Sequence, residues 1–256
     1  MSSEQASTSQ RLEWRTATVV DLIRETKTTC TLTLDVPGWP GHRAGQHVDV
    51  RLTAEDGYKA ERSYSIASPP EAARLALTIE RLEDGEVSPY LAEQLRVGDP
   101  LELRGPIGGY FVWDRALGGP LFLVAGGSGI VPLMAMLRHR NAAANGSSTG
   151  DTSARLLYSS RTWDDIIYRD EIARLAENDA TLRVAHTLTR GTPAEWSGYS
   201  RRIDGAMLDE FGWSPAERPR IFVCGPTPMV EVVANALVQL GHEPAMVKTE
   251  RFGPTG

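Results

Sequence analysis

The chain lacks the features that define several large classes of protein. Its 256 residues include only two cysteines, Cys30 and Cys224, too few for a disulfide scaffold or for a four-cysteine iron–sulfur or zinc site. No apolar run reaches the ~18 residues that span a bilayer. Lys and Arg number 27 against 33 Asp and Glu, whereas nucleic-acid-binding proteins usually have a basic excess. We therefore expect no metal site, no membrane span and no nucleic-acid partner.

What is present is an ordinary globular composition, with 41% hydrophobic and 23% charged residues. The length suffices for two domains of roughly 128 residues with separate cores. Residues 1–10 are rich in Ser, Thr and Gln and lack the apolar segment of a signal peptide. We expect a cytoplasmic protein with a disordered tail at 1–11, one domain at 12–115 and a second at 116–256.

The first half has the two-residue period of β-strands. Apolar residues alternate with polar ones at 30–36, 48–52 and 75–79, and turn pairs such as Pro37 with Gly38 separate these segments. Such alternation is typical of half-buried antiparallel strands. It predicts a barrel or a sandwich, with one short helix at 88–95.

The second half alternates strands and helices, which indicates a parallel sheet with helices on both faces. The helical pattern is clearest around Leu133, at 163–176 and at 228–240, where Gly241 is placed to end the helix. The polar stretch at 141–153 is interpreted as a mobile surface loop. Short apolar runs predict strands at 121–125, 156–158, 182–185, 221–224 and 245–248.

Two short motifs have residues suited to ligand binding. Gly126 opens a Gly-Gly-Ser-Gly-Ile-Val-Pro run between a buried strand and a helix, where free N–H groups suit a pyrophosphate. Arg62, Ser63, Tyr64 and Ser65 offer a guanidinium, an aromatic face and hydroxyls within one strand. Taken singly, the first motif is either a nucleotide site or a tight turn, and the second is either a ligand site or a solvated strand face.

Five motifs taken in order resemble the ferredoxin–NADP reductase family over about residues 12–252. The resemblance implies an N-terminal antiparallel β-barrel that binds flavin and a C-terminal α/β domain with a parallel sheet that binds the nicotinamide nucleotide. The motifs are Arg-Ser-Tyr-Ser at 62–65, Gly-Glu-Val-Ser-Pro-Tyr-Leu at 85–91, Gly-Pro-Ile-Gly at 105–108, the glycine-rich run at 126–132 and Cys-Gly-Pro-Thr-Pro-Met at 224–229.

The resemblance assigns a role to each flavin-site residue. Arg62 would pair with the FAD pyrophosphate, Tyr64 would lie on the isoalloxazine, and Ser65 would contact N5, which accepts the hydride. FMN is the alternative cofactor, since relatives with a similar tetrapeptide bind it. The remaining residues implied on this side are Ser63, Ile79, Glu86, Val87 and Ser88.

In the second domain the resemblance places Gly127 and Gly129 under the nicotinamide nucleotide and Cys224 beside its ring. Without it, Cys224 would be interpreted as a buried strand-end thiol. Relatives of the plastid type end in Glu-x-Tyr, and Glu250 and Phe252 resemble that pair although residues 253–256 follow. Phe252 either covers the flavin or fills the domain interface, and Glu250 either relays a proton to N5 or holds Ser65. Pro132, Gly225 and Met229 complete the implied nucleotide-binding set.

The predicted catalytic set is Ser65, Cys224, Glu250 and Phe252. NADPH is expected over NADH because Ser160, Arg161, Thr189 and Arg190 follow two strands, at the sheet edge where a 2'-phosphate would lie. Asp164 and Asp165 are interpreted as the start of a helix.

The predicted function is transfer of a hydride from NADPH to FAD and of electrons onward. With no iron–sulfur cysteines and no globin segment before the barrel, the acceptor is expected to be a ferredoxin or another small redox protein. Two alternatives remain: a small-molecule acceptor such as free flavin, a quinone or chelated iron, and a non-catalytic flavoprotein subunit that senses redox state.

Overall fold

The computed structural model of the chain describes residues 12–142 and 152–253. The tail predicted at 1–11, most of the loop predicted at 141–153 and the last three residues lie outside this description. No helix within these two ranges combines the length and apolarity needed to cross a membrane.

The first half is a six-stranded antiparallel sheet, as the alternation predicts. Its strand order is β4-β3-β6-β1-β2-β5, and it curls into a barrel-like shape without closing. The two edge strands approach each other at a bridge between Ile66 and Leu77. The strands are β1 (Trp14–Arg24), β2 (Thr29–Asp35), β3 (His47–Thr53), β4 (Lys59–Ser65), β5 (Leu75–Glu80) and β6 (Pro100–Ile107).

A short helical segment fills one end of this sheet, close to the helix predicted at 88–95. Tyr90–Gln94 forms a single π-helical turn, and Val87, Leu91 and Leu95 around it are buried in the barrel core. Burial of these three apolar side chains holds the turn that precedes them, which includes Glu86 and Ser88.

The second half is a five-stranded parallel sheet in the order β11-β10-β7-β8-β9. The strand order reverses between β7 and β10, and doubly wound sheets bind ligands in a crevice at the carboxyl ends of the strands on either side of such a reversal. The topology therefore predicts the ligand-binding crevice beside the ends of β7 and β10. The strands are β7 (Leu121–Gly126), β8 (Ala154–Ser160), β9 (Leu182–Leu188), β10 (Arg220–Pro226) and β11 (Val247–Phe252), and the helices are α1 (Ile130–Ala142), α2 (Arg169–Asn178), α3 (Gly205–Phe211) and α4 (Thr227–Gln239).

The barrel has a hydrophobic core of its own, and a second buried cluster spans the two halves. Ala44, Phe111 and Trp113 from the first half belong to the same buried cluster as Met134 of α1 and Phe222 of β10. A separate cluster on the other face of the parallel sheet packs α3 and α4 against the strands. Helices therefore cover both faces of this sheet, as its apolar strands predict.

Two features of the second half differ from the sequence-based expectation. The helix predicted at 163–176 is interrupted: Trp163–Asp165 forms one turn, and α2 begins at Arg169. Between them Tyr168 has a φ of 59°, which cannot continue a helix. α3, with only seven residues, is absent from the prediction.

Candidate active site

Glycines allow two strand-to-helix turns to meet at the carboxyl ends of β7 and β10. A Cβ on Gly129 would overlap the carbonyl group of Cys224, and one on Gly225 would lie 2.7 Å from Cε of Met229. The turn at 127–129 therefore packs directly on β10. This close approach is a reason for glycine that does not depend on any ligand.

Gly127 has a different requirement, because its φ is 53° while the space around it is open. Its turn leads directly into α1, where buried Pro132 lies in the first turn and needs no N–H partner. A turn with positive φ, an open face and a following helix N-terminus fits a nucleotide pyrophosphate.

β11 brings the predicted C-terminal site residues beside β10. Parallel pairing sets Glu250 next to Cys224 and Phe252 next to Pro226. Cys224 is buried, and burial raises the pKa of its thiol well above the usual value, so it stays neutral. Phe252 is half-buried and packs on the core cluster that the two halves share.

Glu250 has an unsatisfied buried carboxyl group. Its Oε2 atom is buried and has no hydrogen-bond partner in the described part of the chain. Burial raises the pKa of this carboxyl to about 7. A buried acceptor without a partner, at the sheet edge where ligands bind, suits a polar group of a bound cofactor.

This carboxyl should make stability depend on pH. The pKa of Glu250 is about 7 in the folded protein, against about 4.3 when unfolded. The folded state therefore binds the extra proton, and stability should fall as pH rises from about 4.5 to 7, then level off. We expect Glu250→Gln to gain of order 2 kcal/mol over the parent at pH 8 and nothing at pH 4.5. Urea unfolding of both proteins across this range measures the gap, and a gap independent of pH would contradict the prediction.

On the flavin side, Arg62 lies beside the turn that carries Glu86. The guanidinium is 3.2 Å from the Glu86 carboxylate, and both side chains are about half exposed. Tyr58 donates its hydroxyl proton to the other oxygen of Glu86, at 3.3 Å. A pyrophosphate bound by Arg62 would displace the Glu86 carboxylate from the guanidinium. Glu86 would then contribute to the site through its backbone N–H rather than through its side chain.

Tyr64 and Ser65 follow Arg62 on β4 and are both half-buried. Tyr64 packs against the barrel core, and burial raises the pKa of its hydroxyl to about 12. It therefore presents a neutral aromatic ring. Within the two described ranges the Ser65 hydroxyl makes no hydrogen bond, so it is available to a ligand atom.

The other predicted flavin-site residues are held by the protein itself. Ser63 donates its hydroxyl proton to Asp49, at 2.7 Å, and the Ser88 hydroxyl accepts from the backbone of Leu82, at 3.1 Å. The side chains of Ile79 and Val87 are buried in the barrel core, so only their backbone atoms can reach a cofactor.

The carboxyl ends of β8 and β9 are tied together by backbone hydrogen bonds. Thr189 donates to the carbonyl of Ser160 at 3.0 Å, and Arg190 donates to that of Arg161 at 2.8 Å. Both arginines are exposed, and neither forms an ion pair in the ranges that the structure covers. Asp165 accepts from Thr162 within the turn it caps, in agreement with its interpretation as a helix start.

Two aromatic features of this edge were missed by sequence reasoning. Trp163 stacks edge-on against Trp196, with ring centroids 5.7 Å apart, beyond the ends of β8 and β9. Tyr158, in the predicted strand at 156–158, donates its hydroxyl proton to the carbonyl of Gly127, at 3.1 Å. An aromatic residue near the end of a buried strand was the available signal for Tyr158.

Two family models match the chain, one for each half. The oxidoreductase FAD-binding domain matches residues 17–112, and the oxidoreductase NAD-binding domain matches residues 123–235. The matched ranges cover the barrel-like sheet and most of the parallel sheet with its helices.

Individual proteins show the same likeness. NADH-cytochrome b5 reductase 1 of Aspergillus terreus is 33% identical over 215 residues, which are 82% of this chain and 70% of that protein. A glycine betaine monooxygenase reductase subunit of Chromohalobacter salexigens is 33% identical over 242 residues, 92% of this chain and 63% of the relative. The structure of a Neisseria gonorrhoeae ferredoxin NADP+ reductase with FAD and NADP superposes with a TM-score of 0.77 over 94% of this chain and 99% of the other. At 21% identity, that last likeness concerns the fold.

Proposed function

The chain belongs to the ferredoxin–NADP reductase family of FAD- and NAD(P)-dependent oxidoreductases, and on that premise we propose that it transfers a hydride from NADPH to FAD and electrons onward to a small redox protein. The observation that carries this proposal is the meeting of the Gly127–Gly129 turn, Cys224 and Glu250 at the carboxyl ends of β7, β10 and β11. Names of relatives support a protein acceptor, since they include a cytochrome b5 reductase and a monooxygenase reductase subunit.

The residues on β4 and in the Gly127–Gly129 turn would bind the two cofactors and orient them relative to each other. Bound FAD would supply the hydride-accepting centre and the means to release electrons singly. Arg62 would neutralise the pyrophosphate, Tyr64 would orient the ring system, and the Ser65 hydroxyl would bond to its polar edge. Gly127 and Gly129 let the nicotinamide nucleotide approach the backbone closely. Alignment of donor and acceptor is the main contribution of the protein to such a transfer.

Cys224 and Glu250 set the polarity beside that alignment. The neutral thiol adds no charge next to the nicotinamide, and the carboxyl can hold or release a proton near neutral pH because its pKa is about 7. Phe252 follows Glu250 on β11 and packs against the cluster that spans the two halves.

The proposed hydride transfer is tested on the purified full chain, first without an added acceptor and then with candidate acceptors. Under anaerobic conditions we expect a yellow protein whose flavin absorbance bleaches with NADPH and returns with ferricyanide over many turnovers. Cytochrome c reduction that requires added ferredoxin would support a protein acceptor, whereas turnover with free flavin or a quinone alone would favour the small-molecule alternative. If neither NADPH nor NADH reduced the bound flavin, the result would favour the alternative of a non-catalytic flavoprotein subunit.

Flavin retention tests the site on β4. We expect Arg62→Ala to weaken FAD binding about 10- to 100-fold, because a charge-assisted bond to phosphate contributes about 1.5–3 kcal/mol, and Tyr64→Ala to lower flavin content through loss of ring contact. Titration of flavin-stripped protein measures both effects, and mass analysis of the released cofactor separates FAD from FMN. The control is Arg74→Ala, an exposed arginine without an ion pair in the described residues. Full occupancy in both variants would show that the flavin binds elsewhere.

A further inference from the structure

A buried tyrosine links the Gly127 turn to the segment that precedes α2. Tyr158 is fully buried; its hydroxyl donates to the carbonyl of Gly127 at 3.1 Å and accepts from the backbone N–H of Ile167 at 3.3 Å. A phenol has one proton to donate, so this hydroxyl is fully used in joining two backbone segments that are 40 residues apart.

The next residue continues the connection across the domain interface. Tyr168 is buried and has a φ of 59°, a left-handed conformation that is unfavourable for a residue other than glycine. The strained backbone directs its ring under the guanidinium of Arg138, 4.7 Å from the ring centroid. Its hydroxyl forms a hydrogen bond with Thr78 of β5, which belongs to the flavin-binding half.

From Thr78 the connection reaches a carboxylate on the first half. The hydroxyls of Thr78 and Thr31 are 2.8 Å apart, and Thr31 donates to Glu25 at 2.7 Å. Because each hydroxyl has one proton, Thr78 must donate to Thr31, and Tyr168 must therefore donate to Thr78. Burial raises the pKa of Tyr168 to about 12 and that of Tyr158 further, so both keep their protons at neutral pH.

We propose that Tyr158 and Tyr168 are positioning residues that fix the Gly127 turn relative to the flavin-binding half. The proposal rests on the proposed function, since that turn would hold the nicotinamide nucleotide and β5 borders the flavin site. Neither tyrosine touches the reacting atoms. Each acts by holding the donor side at a set distance from the acceptor side, to which hydride transfer is very sensitive.

The first experiment separates alignment from affinity. In anaerobic stopped-flow reduction with NADPH, Tyr168→Phe and Thr78→Val should each lower the limiting rate of flavin bleaching about tenfold and change the nucleotide Kd less than about twofold. The double variant should be no slower than Thr78→Val alone, because the bond that Tyr168→Phe removes is already lost in that variant. Thr78→Ser keeps the hydroxyl and should restore the rate. Tyr158→Phe should lower the rate and also weaken nucleotide binding, since Gly127 loses a hydrogen bond.

The matched control is Tyr199→Phe, which removes a tyrosine hydroxyl elsewhere in the second half. Flavin content and reduction by dithionite should equal those of the parent in every variant. Parental bleaching rates in Tyr168→Phe and Thr78→Val, additive losses in the double variant, or an equal loss in the Tyr199 control would overturn the proposal.

Hydrogen exchange gives a readout that does not depend on turnover. In the flavin-loaded protein, Tyr168→Phe should speed amide exchange at 126–133, although the substituted contact lies on β5. Unchanged exchange there would overturn the proposal even if the parent protein is reduced normally. A parent that neither nucleotide reduces would instead refute the proposed function, and the exchange result would still decide whether the connection holds the turn.

Discussion

Gly129→Ala should abolish reduction by pyridine nucleotide and destabilise the second half of the protein. A Cβ at this position would overlap the carbonyl oxygen and carbon of Cys224 and the nitrogen of Gly225. These are backbone atoms of a central strand, so they cannot turn aside as a flexible side chain can. We expect a loss of about 3 kcal/mol of unfolding free energy and a fall of more than about 100-fold in the rate of flavin bleaching, because the turn is displaced.

Urea unfolding and stopped-flow reduction measure the two effects of Gly129→Ala separately. Gly205→Ala serves as the control, because its Cβ would lie 3.9 Å from Cβ of Ala236 and its φ is not positive. This control should be neutral or slightly stabilising. A Gly129→Ala protein that folds and bleaches like the parent would show that the turn can move away from β10.

Arg190→Ala should remove most of the proposed preference for NADPH. We expect the KM for NADPH to rise about 10- to 100-fold, because a charge-assisted bond to the 2'-phosphate contributes about 1.5–3 kcal/mol. The KM for NADH should change little, since its 2'-hydroxyl has no such charge. The exposed guanidiniums of Arg161 and Arg190 lie at strand ends that backbone hydrogen bonds hold together. The residue before Arg190 is Thr189 rather than an acidic residue, so no carboxylate at that position would repel the phosphate.

Steady-state kinetics with both nucleotides on parent and variant test this expectation. Arg174→Ala, an exposed arginine on α2, is the control and should leave both KM values unchanged. The names of the cytochrome b5 reductase relatives include NADH. A comparison of the two nucleotides on the unmutated protein therefore tests the proposed preference directly. Equal kcat/KM values for NADPH and NADH would end the claim.

Local patterns account for the parts of the structure that the sequence predicts well. The run at 121–125 is a strand and the glycines after it form the turn. A strand that is buried on both faces requires consecutive apolar residues, and a positive φ favours glycine, so both features can be recognised from residue type. The same holds for β10 and α4, where Cys224 ends an apolar run and Gly241 follows the helix with a φ of 95°.

Partners distant in the sequence account for what the sequence does not predict. Tyr168, whose φ is 59°, interrupts the helical pattern at 163–176, and its hydroxyl bonds to Thr78, 90 residues away. The hydroxyl of Ser63 is turned to Asp49 by strand pairing, and Arg62 meets Glu86 across a turn. No periodicity within a segment records such contacts.

The common core of the two halves has a thermodynamic consequence for ligand linkage. Since Phe111 and Trp113 pack in one cluster with Met134 and Phe222, neither half can melt without exposing apolar surface of the other. A ligand that binds the native state alone raises the midpoint of denaturation by mass action. Flavin bound by the barrel half would then also stabilise the parallel sheet of the second half against thermal unfolding. The melting temperature of the whole protein should therefore rise with the concentration of free flavin.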